Sequence, residues 1–158
     1  MTWRTARAQL VSMIEGVAQS SIWDSSLGRF THEPRFFESP FSGKPRRFGL
    51  RGIGVSTIAM ATGAQSRRMR TDAELVLDYP MHGDGAKLDD VIWSDYETLR
   101  ERLLDVSTWN RPTSTIEGLT LSEIDLDGAT DDVDNADGQR VGRRLTILFT
   151  VSHTAQTS

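Results

Sequence analysis

The stretch Thr71-Asp72-Ala73-Glu74-Leu75-Val76-Leu77-Asp78-Tyr79-Pro80 decides the fold. Ala73, Leu75, Leu77 and Tyr79 alternate with Glu74, Val76 and Asp78, the period of a strand that buries one face and wets the other. Pro80 ends the strand by withdrawing a backbone donor. Downstream, Asp89 and Asp90 offer short carboxylates that can accept from the first free N–H groups of a helix. Ile92, Tyr96, Leu99 and Leu103 follow at i, i+4, i+7 and i+11, with Asp95, Glu97, Arg100, Glu101 and Arg102 assigned to the wet side. After a turn at Asn110-Arg111-Pro112, residues 118–126 read as a second strand. Leu119 and Leu121 share one face while Ile124 and Leu126 fall on the other, which predicts a bulge. In the last strand, 143–154, Leu145, Ile147, Phe149 and Val151 share a face, and Leu148 is the one strongly apolar residue on the thinner side.

Alternation of this kind favours antiparallel pairing with a single covered face. The expected class is therefore α+β: a mainly antiparallel or mixed four-stranded sheet with two helices packed on one face, plus a long irregular aromatic-rich loop. The first helix carries Leu10, Met13, Ile14 and Val17 on one stripe. About a dozen large apolar side chains, each contributing roughly 1.5–3 kcal/mol on burial before chain entropy is subtracted, suffice for one domain over 1–158 and not for two.

Composition narrows the function classes. Of the 158 residues 37% are hydrophobic, and no apolar run approaches a bilayer span, so no membrane partner is expected. The N-terminal apolar residues are spaced as a helix face rather than as a secretory signal. Cysteine is absent, which removes thiolate metal sites and thiol nucleophiles and fits a cytoplasmic origin. A net charge of −4 argues against gripping a polyanion over the whole surface.

Residues 20–45 hold Trp23, Phe30, Phe36, Phe37 and Phe41 among Gly, Ser and Pro. Loops of this length are functional or disordered. Two readings stand: the rings fold back onto the sheet, or Phe36, Phe37 and Phe41 become ordered against a neighbouring subunit. A further strand over 48–58, with Ile53, Val55 and Ile58 as its apolar residues, leads through the basic run Arg67, Arg68 and Arg70 into the strand at 71–80. Gly49, Gly52 and Gly54 match neither a dinucleotide nor a phosphate loop, and in a strand they mark a bulge or a close backbone approach.

Chemical machinery is sparse. His32, His82 and His153 lie on three segments with no second histidine at i+2 or i+4, and no G-x-S-x-G elbow occurs. The cluster Asp125, Asp127, Asp131, Asp132, Asp134 and Asp137 offers hard oxygen donors of the kind Ca²⁺ or Mg²⁺ takes. Its spacing fails the EF-hand pattern, and Gly128 and Gly138 read as turn residues bounding a solvated hairpin loop. No cofactor or catalytic residue is assigned.

The N-terminal helix, the strand with Arg47-Phe48-Gly49-Leu50, the strand ending Leu77-Asp78-Tyr79-Pro80, the helix with Ile92-Trp93-Ser94-Asp95 and Leu99, and the closing strand 143–151 together resemble the tail terminator, or tail-completion, proteins of long-tailed bacteriophages and related particles. The resemblance is one of order and size and covers most of the chain from Phe48 onward, plus the first helix. It implies a structural virion protein in the tail or neck, assembled in the host cytoplasm as a ring of six copies. The ring would cap the tail tube protein, stop tail polymerisation and join the tail to the head–tail connector or stopper protein, with DNA passing through the lumen without specific binding. Six copies of the acidic segment with Asp131, Asp132 and Asp134 would set up a negative field toward a partner, and Arg67, Arg68 and Arg70 would serve joining. The alternatives are a neck connector or stopper, and a small metal-dependent enzyme or binding module using the Asp125 to Asp137 cluster.

Overall fold

The structure, a computed structural model, describes residues 3–17, 28–39, 41, 44–60, 66–81, 85–104, 119–120 and 127–156. In chain order these form α1 (Trp3–Glu15), β1 (Thr31–His32), a 3₁₀ turn (Phe36–Glu38), β2 (Arg47–Met60), β3 (Ser66–Pro80), α2 (Gly85–Leu104), β4 (Leu119–Thr120), β5 (Asp127–Asp134) and β6 (Arg140–Gln156). The sheet runs β1-β2-β3-β6, and β4 and β5 both pair with the remaining edge of β6. Every pairing is antiparallel except β1 with β2. The protein is thus α+β, with two helices packed on a mixed sheet.

Among the described residues the sheet has six strands rather than four. β1 and β4 are two residues long and show no period. In β5, four aspartates stand among eight residues, a composition that strands ordinarily avoid. Of the aspartates expected in a loop, Asp125 lies outside the described residues, Asp127, Asp131, Asp132 and Asp134 therefore lie on a strand, and Asp137 lies in the turn, which is Asn135 to Gly138. There the Asn135 side chain accepts from the N–H groups of Asp137 and Gln139, and Gly138 takes φ 75°. Of the expected strand at 118–126, β4 is present and 121–126 lie outside the described residues, as do the turn at 110–112, Trp23 and His82.

The core lies between the helices and one face of the sheet. Leu10, Met13 and Ile14 of α1 and Leu88, Val91, Ile92, Leu99 and Leu103 of α2 bury against Leu75, Leu77 and Tyr79 of β3 and Leu145, Ile147, Phe149 and Val151 of β6. The strand alternation at 71–80 and 143–154 thus reads correctly on its apolar side. β2 departs from expectation. Among its residues of described burial the buried apolar side chains are Phe48 and Leu50, while Ile53 and Val55 stay 55% and 58% exposed. A bulge between Gly52 and Gly54 breaks the alternation there. α2 begins at Gly85, ahead of the Asp89-Asp90 start, and its other end is tied to α1 by Arg102 Nε, which donates to the Met13 carbonyl at 3.3 Å.

Because β1 and β2 run parallel, the chain between them must cross a face of the sheet. The crossover carries the 3₁₀ turn, whose Phe36 ring lies against Gly49 on the face without helices. A Cβ at Gly49 would sit 2.7 Å from Phe36 Cβ, Cγ and Cδ1. Gly49→Ala should therefore lower stability by about 1–3 kcal/mol, the usual cost of overpacking. In a Phe36→Ala background the same change should cost measurably less in urea denaturation. Equal costs in both backgrounds would show that the ring does not press on Gly49.

Candidate functional site

Two clusters of charged side chains flank β3, one on each face. On the core side Arg46, just before β2, adopts φ 58°, a left-handed conformation that costs a non-glycine residue about 1–2 kcal/mol. Its N–H donates to the Asp78 carbonyl at 3.1 Å, and its carbonyl accepts from Thr31 N–H at 3.1 Å. The left-handed turn sends the guanidinium inward. There Nη2 and Nε donate to Asp95 Oδ1 and Oδ2 at 2.8 and 2.9 Å, and Nη1 donates to the Gly28 carbonyl at 3.0 Å. The Phe30 ring lies 5.2 Å from the guanidinium carbon. Tyr79 Oη donates to Asp95 Oδ2 at 2.8 Å. All three polar residues are buried.

Burial pushes the Asp95 carboxyl up, against the hydrogen bonds and charge of Arg46 and the hydrogen bond of Tyr79, which pull it down. Burial likewise holds Tyr79 well above the ordinary phenol range, with the Asp95 charge acting in the same sense. The phenol therefore stays a donor. Arg46 joins the entrance of β2 to α2, and Tyr79 joins β3 to the same carboxylate.

On the opposite face, cross-strand register brings Arg47, Asp78 and Arg144 into one row. Asp78 is buried. Its Oδ1 accepts from Arg144 Nε at 2.7 Å, and its Oδ2 lies 3.3 Å from Arg47 Nη2. Both guanidinium carbons lie 5.0–5.3 Å from the centre of the Phe36 ring, and Asp78 and Arg47 are buried while the Arg144 side chain stays 35% exposed. Two rows further along, past Gly49 and Val76, Arg51 pairs with Glu74, and its guanidinium carbon stands 4.1 Å over Phe37. Phe37 and Leu148 remain exposed on this face.

The sequence expectation placed Asp95, Val76 and Asp78 on wet faces, and all three are buried. The signal was present in the spacing. Asp95 lies three residues after Ile92 and four before Leu99, within the buried stripe, and Val76 marked the second face of β3 as at least partly covered. Arg46 gives no comparable sign, because its role depends on a backbone turn rather than on a period.

The candidate interface residues divide. Phe36 is buried within its own chain, Phe41 packs over Gly142, and Phe37 is at the surface. Arg67, Arg68 and Arg70 fall in the first half of β3, where Arg70 Nε lies 4.0 Å from Asp72. Asp131, Asp132 and Asp134 are exposed along β5, and Asp132 pairs with Arg140 and Arg143. Arg143 also reaches Asp89 in α2 and donates to Thr130 Oγ1 at 2.8 Å. Among the described residues no group of three or more histidine, aspartate or glutamate side chains is placed to hold a metal ion. His32 lies 5.4 Å from the Phe48 ring, where burial holds it below the ordinary histidine range despite the nearby Glu15.

The polar side chains brought together around β3 therefore link elements to one another. The chain matches no family model and no curated protein.

Asp78→Ala should cost about 3 kcal/mol in chemical denaturation, because it removes the buried carboxylate that both Arg47 and Arg144 face. Tyr79→Phe should cost about 1 kcal/mol, since Arg46 still satisfies both Asp95 oxygens. A loss below about 0.5 kcal/mol for Asp78→Ala would show the carboxylate to be solvated rather than buried.

Proposed function

We propose that this protein is a structural subunit that assembles with copies of itself into a ring, caps a tail tube, and joins the tail to the head of a virus-like particle. The observation that carries the reading is the distribution of cover over the sheet. Helices and buried ion pairs close one face and the middle of the other, while Phe37, Leu148, Ile53 and Val55 are left at the surface. The order of elements supports it as well, since the N-terminal helix, the Arg47-Phe48 strand, the strand ending at Pro80, α2 and the long closing strand all occur in the described residues. A ring needs one surface to fit a different surface of the next copy, with a rotation that closes. It needs no cofactor.

In this reading Phe37 belongs to the contact between copies, while Arg67, Arg68 and Arg70 together with Asp131, Asp132 and Asp134 select the tube and connector partners by charge. The purified protein should give closed rings of uniform mass in light scattering and negative-stain micrographs. Deleting its gene should leave filled heads without tails beside tubes of abnormal length. Normal tails already attached to heads would refute the proposal, and tails of normal length left unattached would assign the protein to the neck connector instead.

A further inference from the structure

The two outer edges of the sheet differ in chemistry in a way that suits head-to-tail pairing. β1 pairs with β2 only at Arg47 and Phe48, and the last backbone bond across that edge is Glu33 N–H to the Phe48 carbonyl at 2.9 Å. From Gly49 to Met60 no other described strand pairs with this side of β2. Phe48 faces β1, so the alternation of an antiparallel ladder also turns the backbone groups of Leu50 and Gly52 outward. Beyond the bulge at Ile53 it does the same for Val55 and Thr57. The opposite edge of the molecule is β5. It pairs with β6 through Ala129 and Asp131, which leaves the backbone groups of Thr130 and Asp132 pointing away from the sheet.

An edge left open is ordinarily protected by lysine, proline, inward charge or bulges. Between Gly52 and Met60 β2 has no lysine, proline or charged residue and presents Ile53 and Val55, with bulges as its one protecting device. Its bulges at Ile53 and Ile58 break the edge into short runs that admit few registers. The charges are complementary. Arg47 is buried against Asp78 and takes no part, but β2 holds the half-exposed Arg51 and no acidic residue, and the start of β3 beside it carries Arg67, Arg68 and Arg70 against Asp72 and Glu74; β5 exposes Asp131, Asp134 and Asp132, the last also paired with Arg140 and Arg143, and carries no basic residue.

We infer that the outer edge of β2 in one copy pairs with the outer edge of β5 in the next, so that the sheet continues from subunit to subunit. This deepens the ring reading above and rests on it. The contact is heterologous, because each copy uses β2 on one side and β5 on the other. Main-chain hydrogen bonds would supply the attachment, as in other strand additions, and the aspartates of β5 facing the arginine-bearing hairpin would exclude pairing of β5 with β5.

The test uses proline at outward-facing positions, where it removes a free donor and leaves the ladder within the subunit intact. Val55→Pro blocks the β2 edge and Asp132→Pro blocks the β5 edge. The wild-type chain should give one oligomer by light scattering, and each variant alone should be a monomer with an unchanged circular dichroism spectrum. An equal mixture of the two variants should form a one-to-one dimer and grow no further, since each supplies the edge that the other lacks. Hydrogen exchange on the unmodified chain gives an independent reading: the amides of Leu50 and Val55 should slow at least tenfold on assembly. Oligomers of wild-type mass from either variant, or fast exchange at both amides in assembled protein, would overturn edge pairing while leaving the ring reading intact. A wild-type chain that stays monomeric at all concentrations would overturn the ring reading itself.

Discussion

The buried ion pair between Arg46 and Asp95 is the contact on which the rest of the structure depends. It joins the residue that opens β2 to the middle of α2, and through Tyr79 it includes β3. A carboxylate and a guanidinium taken out of water are costly, and the desolvation is offset only when the geometry is close and the remaining donors are used. Here both Asp95 oxygens accept from Arg46, one accepts from Tyr79 as well, and the third Arg46 nitrogen is taken by Gly28. The strained backbone of Arg46 belongs to the same arrangement, because only the left-handed turn aims the guanidinium into the core while its own N–H and carbonyl serve the strands on either side.

From that pair the two faces of the sheet take different characters. The helix side is an apolar core pinned by one polar cluster. The other side is covered where the β1 to β2 crossover lays Phe36 over the row of Arg47, Asp78 and Arg144 and Phe41 over Gly142. The proposal of self-assembly starts from the outer edges of β2 and β5, with which no further described strand pairs. The fold thus uses its buried charge to hold elements together, while Phe37, Leu148, Ile53 and Val55 stay at the surface.

Much of the fold was legible in the sequence, because long strands and helices announce themselves by period. The buried faces of β3 and β6, the α1 stripe of Leu10, Met13 and Ile14, and the α2 stripe through Leu103 all follow from spacing alone. Period fails where an element is short, as in β1 and β4, or where composition contradicts conformation, as in the aspartate-rich β5. It also fails at polar residues inside an apolar stripe. Asp95 was assigned to water because of its charge, although its position among Ile92 and Leu99 placed it inside, and the partner that makes its burial tolerable lies 49 residues away. The second cluster was hidden for a related reason, since Asp78, Arg47 and Arg144 meet only through strand register.

A double-mutant cycle on Arg46 and Asp95 tests the central role of their contact most directly. Arg46→Met and Asp95→Leu remove one charge each while roughly keeping volume, so each alone leaves the other charge buried, and together they leave none. If the pair organises the fold, each single change should cost about 3–5 kcal/mol. The double variant should then be more stable than the sum of the two predicts by about 2–3 kcal/mol, as residues in direct contact require. Costs that add within about 0.5 kcal/mol, as for residues that do not interact, would contradict the account.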